Sequence, residues 1–132
     1  MIRKKKFLVG GDKMQESGEM YLETIHILRS RKKDIRAIDV GEHMGYSKPS
    51  VSRALSILKN GGYVVVDEHG FLSLTETGQE IAEKIYARHN ILTKFLNYIG
   101  VEENVAKGDA CKMEHVISDE TYEALESYMQ EK

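Results

Sequence analysis

The chain has 132 residues, which is enough for one compact domain or two small ones but not for a large enzyme domain. Its net charge of −2 conceals an uneven distribution, because residues 1–66 carry 13 Lys and Arg against 7 Asp and Glu, whereas residues 67–132 carry 6 against 14. A hydrophobic content of 41% excludes a disordered chain, one cysteine excludes an internal disulfide, and no apolar run reaches the length of a membrane span. We therefore expect a soluble, cytoplasmic, mostly α-helical protein with a basic nucleic-acid surface beside an acidic module.

The first predicted elements are two helices separated by a charged break. Apolar residues recur on one face from Gly18 to Arg31, which predicts a helix there, and the residues 32–34 end it. A short helix follows over 37–44 and is expected to stop at Gly45.

The third predicted helix begins with clear capping chemistry. Ser47 is suited to the N-cap and Pro49 to the first turn, and apolar residues follow at helical spacing from Val51 to Leu58. Two short runs rich in β-forming residues, 63–67 and 71–75, then flank a turn sequence and predict a hairpin. Helix, turn, capped helix and hairpin follow one another in the order of a winged helix-turn-helix.

The third helix also carries the candidate DNA-binding face. It contains no acidic residue from Ser47 to Asn60. A charge run on its own is usually only a solvated helix face, but the missing acids, the preceding turn and the basic first half together favour DNA. The polar residues on the predicted exposed side of this helix are Lys48, Ser50, Ser52, Arg53, Ser56 and Lys59.

The second half of the chain is predicted to form a small helical module. Thr77 and Glu80 form a capping-box pattern that predicts a long helix to about Asn97, with His89 inside its apolar stripe. A further helix is expected over 101–116, and Ser118 is placed to cap a last one. The module is too small to form a stable core on its own, so dimerisation through its apolar stripes is expected.

One group of residues suggests metal binding. Cys111, Glu114 and His115 have the i, i+3, i+4 spacing that places thiolate, carboxylate and imidazole on one helix face, where they could ligate one divalent ion. The spacing alone is a weak signal. Met20 and Glu23 on the first helix could add a thioether and a carboxylate, although a methionine there, like His89 in its stripe, is more often a core residue.

Four segments of the chain resemble the diphtheria toxin repressor family of iron- and manganese-dependent transcriptional repressors. They are Glu19–Ile25, Ser47–Ser52, Leu74–Gly78 and Gly108–Glu120, and the likeness extends over about residues 17–126 in the order of the family. The resemblance implies a winged helix-turn-helix followed by a helical dimerisation domain, in the form that lacks the SH3-like third domain of longer members.

The predicted elements and the resemblance together give a domain division. A flexible basic arm is expected over 1–16, the DNA-binding domain over 17–77, and the metal-binding and dimerisation domain over 78–132. A homodimer would bind a palindromic double-stranded operator, with its two recognition helices about 34 Å apart.

The metal ligands follow from the same resemblance. The activating site of the iron-sensing members corresponds to Met20, Cys111, Glu114 and His115 here, whereas manganese sensors have aspartate and glutamate in place of Met20 and Cys111. Sulfur ligands disfavour Mn²⁺ relative to Fe²⁺, so Fe²⁺ is the expected cofactor, with Mn²⁺ as the alternative and Zn²⁺, Co²⁺ or Ni²⁺ binding in vitro.

A second metal site is expected to be of the manganese type. The ancillary site of the iron sensors uses histidine and glutamate at positions that hold Lys107 and Thr93 here, and of that set only His89 remains. Glu23 and His89 instead correspond to the pair that, with Glu114, holds a second ion in manganese sensors.

The expected DNA contacts divide into base readers and phosphate contacts. Ser47, Pro49, Ser50 and Arg53 are expected at base edges, with Arg53 suited to guanine. Ser17, Lys48, Ser52 and Lys59 are expected at phosphates, which makes binding dependent on salt.

Two other classes of protein are compatible with parts of this sequence. A winged-helix thiol redox sensor could use Cys111, whose neighbours Lys112 and His115 partly provide the electropositive setting that a reactive cysteine needs. An enzyme with Cys111 and His115 as nucleophile and base is disfavoured, because the sequence shows no oxyanion donor, substrate pocket or third catalytic group.

Overall fold

The computed structural model describes residues 12–132, with side chains from Ser17 onward. The elements confirm a mostly helical fold that begins with a winged helix-turn-helix. In chain order they are α1 (Asp12–Arg31), α2 (Ala37–Met44), α3 (Lys48–Asn60), β1 (Val64–Val66), β2 (Leu72–Leu74), α4 (Glu76–Tyr98), α5 (Glu103–Met113) and α6 (Asp119–Gln130).

The chain forms two compact units. The first ends at Glu83 and the second comprises Lys84–Lys132, whereas the expected domain boundary follows Thr77. The difference falls inside α4, which begins in the first unit and continues into the second.

The start of α1 differs from the sequence prediction. The helix begins at Asp12 rather than at Gly18, so only residues 1–11 of the expected basic arm lie outside the described residues. Glycine inside a helix is less favourable than alanine by about 1 kcal/mol. Gly18 is buried, however, and a helix that packs against a core tolerates that cost.

The core of the first unit joins α1, α2 and α3 to the hairpin. Its members come from the three helices, the two strands, the segment before α2 and the start of α4, and each fully buried Val, Leu or Ile among them stabilises the fold by about 1.5–3 kcal/mol. The core consists of Tyr21, Leu22, Ile25, Ile35, Val40, Val51, Leu55, Leu58, Val64, Leu72 and Ala82.

The turn between α2 and α3 is formed as predicted. Gly45 ends α2 in the left-handed conformation, with φ of 75°, which a residue with a side chain rarely adopts. Ser47 caps α3, because its Oγ accepts a hydrogen bond from the Ser50 backbone N–H at 3.3 Å, and Pro49 lies in the first turn.

The hairpin is antiparallel and pairs Val64 with Leu74 and Val66 with Leu72. Its turn is held by Asp67, whose Oδ1 accepts hydrogen bonds from the backbone N–H groups of His69 at 2.8 Å and Phe71 at 2.9 Å. The Phe71 bond is the main cause that lowers the pKa of the Asp67 carboxyl. The predicted wing is therefore present.

The N-cap of α4 is Thr75, and the predicted cap at Thr77 is wrong. The Thr75 hydroxyl accepts from the Gly78 N–H at 3.1 Å and itself donates to the Gly62 carbonyl at 2.7 Å, so one side chain both starts the helix and joins it to the hairpin. Gly78 has no space for a side chain, since a Cβ there would lie 2.2 Å from the Tyr63 carbonyl oxygen.

The second unit consists of the rest of α4 with α5 and α6. Its buried apolar residues are few: Ile85, Leu92, Ala106, Ala110 and Met129. Ser118 caps α6 as predicted, with its Oγ accepting from the Thr121 N–H at 3.0 Å.

The expected helix over 101–116 is shorter than predicted. Glu102 provides the N-cap of α5, and the helix ends at Met113. Beyond it the Val116 N–H bonds to the Met113 carbonyl three residues earlier, which tightens the backbone into a turn. Glu114 and His115 therefore lie in this turn and not on a regular helix.

Candidate metal centre and nucleic-acid interface

The recognition helix α3 has one buried and one exposed side. Val51, Leu55 and Leu58 are buried at i, i+4 and i+7. The expected DNA contacts on the helix and at its cap are all exposed, and the described residues of the helix include no acid. These exposed residues are Ser47, Lys48, Pro49, Ser50, Ser52, Arg53 and Lys59.

Two hollows flank α3 within the first unit. One, of about 470 Å³, brings Ser17 of α1 together with Ser47, Ser50 and Arg53 of the recognition helix. This places four of the expected DNA contacts around one concave surface. Arg53 is the cationic member of that group, and such an arrangement suits a phosphate or a base edge.

The second hollow, of about 680 Å³, lies on the other side of α3. It is lined by Lys48, Pro49 and Ser52 of α3 and by Ile38 and Glu42 of α2, among others. Lys48, Pro49 and Ser52 therefore face a different edge of the recognition helix from Ser50 and Arg53. Lys59 lies in the last turn of α3 and lines neither hollow.

Tyr46 is an exposed aromatic residue of this surface that was not among the predicted contacts. Tyr46 directly precedes the α3 cap, is 46% exposed and lines both hollows. Its ring also stands 6.1 Å from that of buried Tyr21, and burial together with Tyr46 raises the Tyr21 pKa. An aromatic residue beside the cap serine is the sequence signal that would have identified it.

The second unit contains a buried carboxylate between two imidazoles. Glu114 has 0% exposure. The Nδ1 atom of His89 on α4 lies 3.0 Å from Glu114 Oε1, and the Nε2 atom of His115 lies 3.3 Å from Glu114 Oε2. The structure thus brings together three of the predicted ligands.

These separations fit a metal centre. Two ligand atoms that each lie about 2.1 Å from one ion are about 3.0 Å apart when the ligand–metal–ligand angle is a right angle. They are about 3.4 Å apart when the coordination is tetrahedral. The two observed distances fall in this range, and the 3.0 Å contact is also a hydrogen bond between the His89 ring and the Glu114 carboxylate. Imidazole nitrogen with carboxylate oxygen is a donor set that suits divalent first-row metals, whereas burial of a carboxylate for structural reasons alone is costly.

The remaining predicted ligands lie on helices. Cys111 is half-buried in the last turn of α5, one helical turn before Glu114. Met20 is half-buried on α1, and Glu23, one turn further along α1, is 7% exposed. The roles of these three residues stay predictions.

Arg88 is a functional candidate that sequence reasoning missed. Ile85, Arg88 and Leu92 have the i, i+3, i+7 spacing of one α4 face, and all three are buried. A cation at a position that faces the core is unusual unless it is paired, and this is the signal by which the sequence alone could have identified it.

The winged helix-turn-helix, with its exposed basic helix, defines the class of a DNA-binding protein. The chain matches two family profiles: residues 13–70 match the iron dependent repressor N-terminal DNA binding domain, and residues 75–131 match the iron dependent repressor metal binding and dimerisation domain. It belongs to this family of metal-dependent transcriptional regulators, which the resemblance had predicted.

Individual relatives agree with this assignment. An uncharacterised HTH-type transcriptional regulator of Methanocaldococcus jannaschii is 32% identical over 119 residues, covering 89% of this chain and 95% of that one. The transcriptional regulator MntR of Salmonella typhimurium is 32% identical over 111 residues, covering 84% of this chain and 71% of that one. The structure of the manganese regulator SloR is similar with a TM-score of 0.77 and 29% identity.

The likeness to SloR covers 86% of this chain, which spans 53% of that longer chain. The family consists of DNA-binding regulators and not of enzymes, so a nucleophile and base pair of Cys111 and His115 has no support. Within the described part of the chain, no helix is long and apolar enough to cross a membrane.

Proposed function

We propose that this protein is a homodimeric repressor that binds a palindromic operator in the cytoplasm when it holds Fe²⁺, and that it controls metal uptake. The observation that carries the proposal is the fully buried Glu114 carboxylate with His89 and His115 at 3.0 and 3.3 Å. Burial of a carboxylate destabilises the folded protein unless a nearby cation compensates its charge. Membership of the iron dependent repressor family supports the same function.

The proposed ligands of the activating ion are Met20, Cys111, Glu114 and His115. The bound ion would supply positive charge that compensates the carboxylate and the thiolate. Glu23, His89 and Glu114 are proposed to form a second site of the manganese type. In both sets Glu114 contributes a carboxylate that the fold already excludes from solvent.

The choice of Fe²⁺ depends on the two sulfur atoms. Thioether and thiolate ligands favour metals later in the first-row series over Mn²⁺. Mn²⁺ is the alternative, and the similarity to MntR and to the manganese regulator SloR keeps that alternative open.

The exposed apolar residues of the second unit support the homodimer. Tyr98, Ile99, Val105 and Val116 are between 53% and 70% exposed, in a unit that has few buried apolar residues of its own. Burying such side chains against a second copy would complete the small core. The family match over 75–131 to a dimerisation domain points the same way.

The proposed DNA contacts are those predicted from the sequence. Ser47, Pro49, Ser50 and Arg53 would contact base edges and Ser17, Lys48, Ser52 and Lys59 would contact phosphates. Their exposure on and around α3 supports these roles. Tyr46 is added as a further candidate because it lines the same surface.

An anaerobic titration of Fe²⁺, Mn²⁺ and Zn²⁺ against labelled DNA from the promoter region of the gene tests the proposal. Fe²⁺ is expected to activate DNA binding at a lower free concentration than Mn²⁺. The coupling must be reciprocal, so operator DNA must tighten metal binding by the same factor, about 5- to 150-fold for a typical coupling energy. Equal metal affinity with and without operator would refute metal activation.

A substitution separates metal activation from thiol redox sensing. Cys111→Asp retains an anionic ligand but removes the oxidisable sulfur. A metal-dependent repressor is expected to keep metal-dependent DNA binding in this variant, whereas a redox sensor would lose its response to oxidation and show no dependence on metal.

A further inference from the structure

Arg88 is a buried cation whose hydrogen bonds go to the segment that carries the proposed ligands. Its side chain is only 7% exposed. Nη1 donates to the Glu114 carbonyl oxygen at 3.2 Å and to the Ile117 carbonyl oxygen at 3.4 Å, and Nη2 pairs with the Asp119 carboxylate. All of these groups belong to the second unit.

The segment that Arg88 holds has no regular secondary structure. It runs from the end of α5 at Met113 to the start of α6 at Asp119, and it contains both Glu114 and His115. The Tyr122 ring lies 5.0 Å from the guanidinium carbon and covers one face of it. Arg88 therefore fixes the two ends and one interior carbonyl of this segment to α4.

Arg88 and His89 are consecutive residues of α4 that hold Glu114 in different ways. Arg88 binds its main-chain carbonyl, and the His89 ring approaches its carboxylate at 3.0 Å. Successive side chains leave a helix about 100° apart, so the two contacts together determine both the position and the orientation of Glu114.

We propose that Arg88, paired with Asp119, is a positioning residue of the metal centre, which orients Glu114 and His115 for ligation. This inference rests on the proposed metal-binding function. It assigns a role to two residues that do not themselves bind the ion. Residues that support metal ligands in this way commonly change metal affinity about 10- to 100-fold when they are replaced.

The chemistry of the guanidinium explains why arginine is suited to this position. Its planar group presents several fixed N–H donors, so it can bind two carbonyl oxygens and a carboxylate at once. A lysine ammonium could pair with Asp119, but it could not span the same acceptors with the same geometry.

Co²⁺ titration of the full-length protein tests the inference, because the visible absorption of Co²⁺ reports the geometry of its ligands. The variants are Arg88→Gln, Arg88→Lys and Asp119→Asn. The matched control is Lys84→Gln. The Lys84 Nζ atom also lies near Asp119, 3.9 Å from its Oδ1, but the Lys84 side chain is 52% exposed. Circular dichroism and thermal unfolding without metal verify that each variant is folded.

Arg88→Gln and Asp119→Asn are expected to weaken Co²⁺ binding about 10- to 100-fold and to alter its visible spectrum. Arg88→Lys is expected to restore part of the affinity, and Lys84→Gln to match the wild type. Asp119→Asn leaves Arg88 in place and removes the carboxylate charge that holds its guanidinium, so it still decides the question if Arg88→Gln fails to fold.

The outcomes distinguish metal binding by the protein from the positioning role of Arg88. A wild-type protein that binds no Co²⁺, Mn²⁺ or Fe²⁺ would overturn the proposed function and the positioning role with it. A wild-type protein that binds metal, beside folded variants with unchanged affinity and spectrum, would overturn the positioning role alone. Variants that lose stability but retain affinity and spectrum would show that Arg88 is only structural.

Discussion

Replacing Glu114 by glutamine should abolish most of the stabilisation by metal while leaving the metal-free protein almost unchanged. The substitution keeps the shape of the side chain and removes only its charge. Glu114 has 0% exposure, and imidazole nitrogens lie 3.0 and 3.3 Å from its oxygens. Glutamine still presents an oxygen and an NH2 group to the two imidazoles, and it removes a charge that is costly to bury, so the metal-free variant should unfold near the wild-type temperature.

The size of the effect follows from ligand linkage. At a metal concentration about 100 times Kd, binding stabilises the native state by about 2.7 kcal/mol. A variant with a Kd raised about 100-fold gains only about 0.4 kcal/mol at that concentration. The difference of about 2.3 kcal/mol corresponds to a loss of roughly 7–14 °C from the metal-induced rise in Tm, since 1 kcal/mol shifts Tm by about 3–6 °C at a length between those of small and medium-sized domains.

Thermal unfolding with and without Mn²⁺, followed by circular dichroism, measures this loss. Glu123→Gln is the matched control, because it makes the same chemical change at an exposed carboxylate on α6. The control should keep the full rise in Tm. An undiminished rise in Glu114→Gln would refute the assignment of Glu114 as a ligand, and a large loss of stability without metal would show that the carboxylate serves the fold.

Three further predictions concern metal choice, DNA and the wing. The double variant Met20→Asp, Cys111→Glu should shift activation from Fe²⁺ towards Mn²⁺, because both sulfur ligands become oxygen ligands, and parallel DNA titrations with the two metals would show it. Lys48→Ala should reduce the slope of log K against log salt by about 0.9 per subunit. Lys94→Ala, which also removes an exposed charge but from α4, should leave the slope unchanged, and equal slopes in both variants would contradict the phosphate contact. Because the pKa of Asp67 is lowered in the fold, its contribution to stability is complete above its unfolded pKa of about 3.9 and is lost as the pH falls through the lower folded value. The amide signals of the hairpin turn should therefore broaden at acid pH, and Asp67→Asn should remove that pH dependence.

The elements whose formation depends only on residues close together in the sequence could be predicted from it. The α2–α3 turn needs only a glycine at φ of 75° and a serine that caps the following helix, and Gly45 and Ser47 stand at those positions. The hairpin likewise follows from two β-forming runs around the 68–70 turn. The candidate ligands were predicted by residue type and by resemblance, and the structure then brings His89, Glu114 and His115 together.

The features that depend on distant residues could not be predicted in this way. Thr77 has the better local pattern for a cap, but the Thr75 hydroxyl also donates to the Gly62 carbonyl 13 residues away, and this tertiary bond decides where α4 begins. The end of α5 is another case. The sequence continues a helical spacing to Val116, but Arg88, 26 residues before Glu114, binds the Glu114 carbonyl where the helix ends.

The uneven charge distribution of the chain can be explained by the DNA-binding surface and the metal centre together. Three exposed cations of the basic first half, Lys48, Arg53 and Lys59, lie on α3, where phosphates would be met. In the second half most acids are exposed, but Glu114 is fully buried, and Arg88 beside it is already paired with Asp119. A fold under selection for stability alone would replace such a carboxylate with an apolar residue of similar volume, since buried ion pairs are frequently less stabilising than good packing. The burial of this carboxylate therefore indicates that the metal-free protein carries a destabilising charge that a bound ion would compensate, and this difference in stability would allow metal to regulate the repressor.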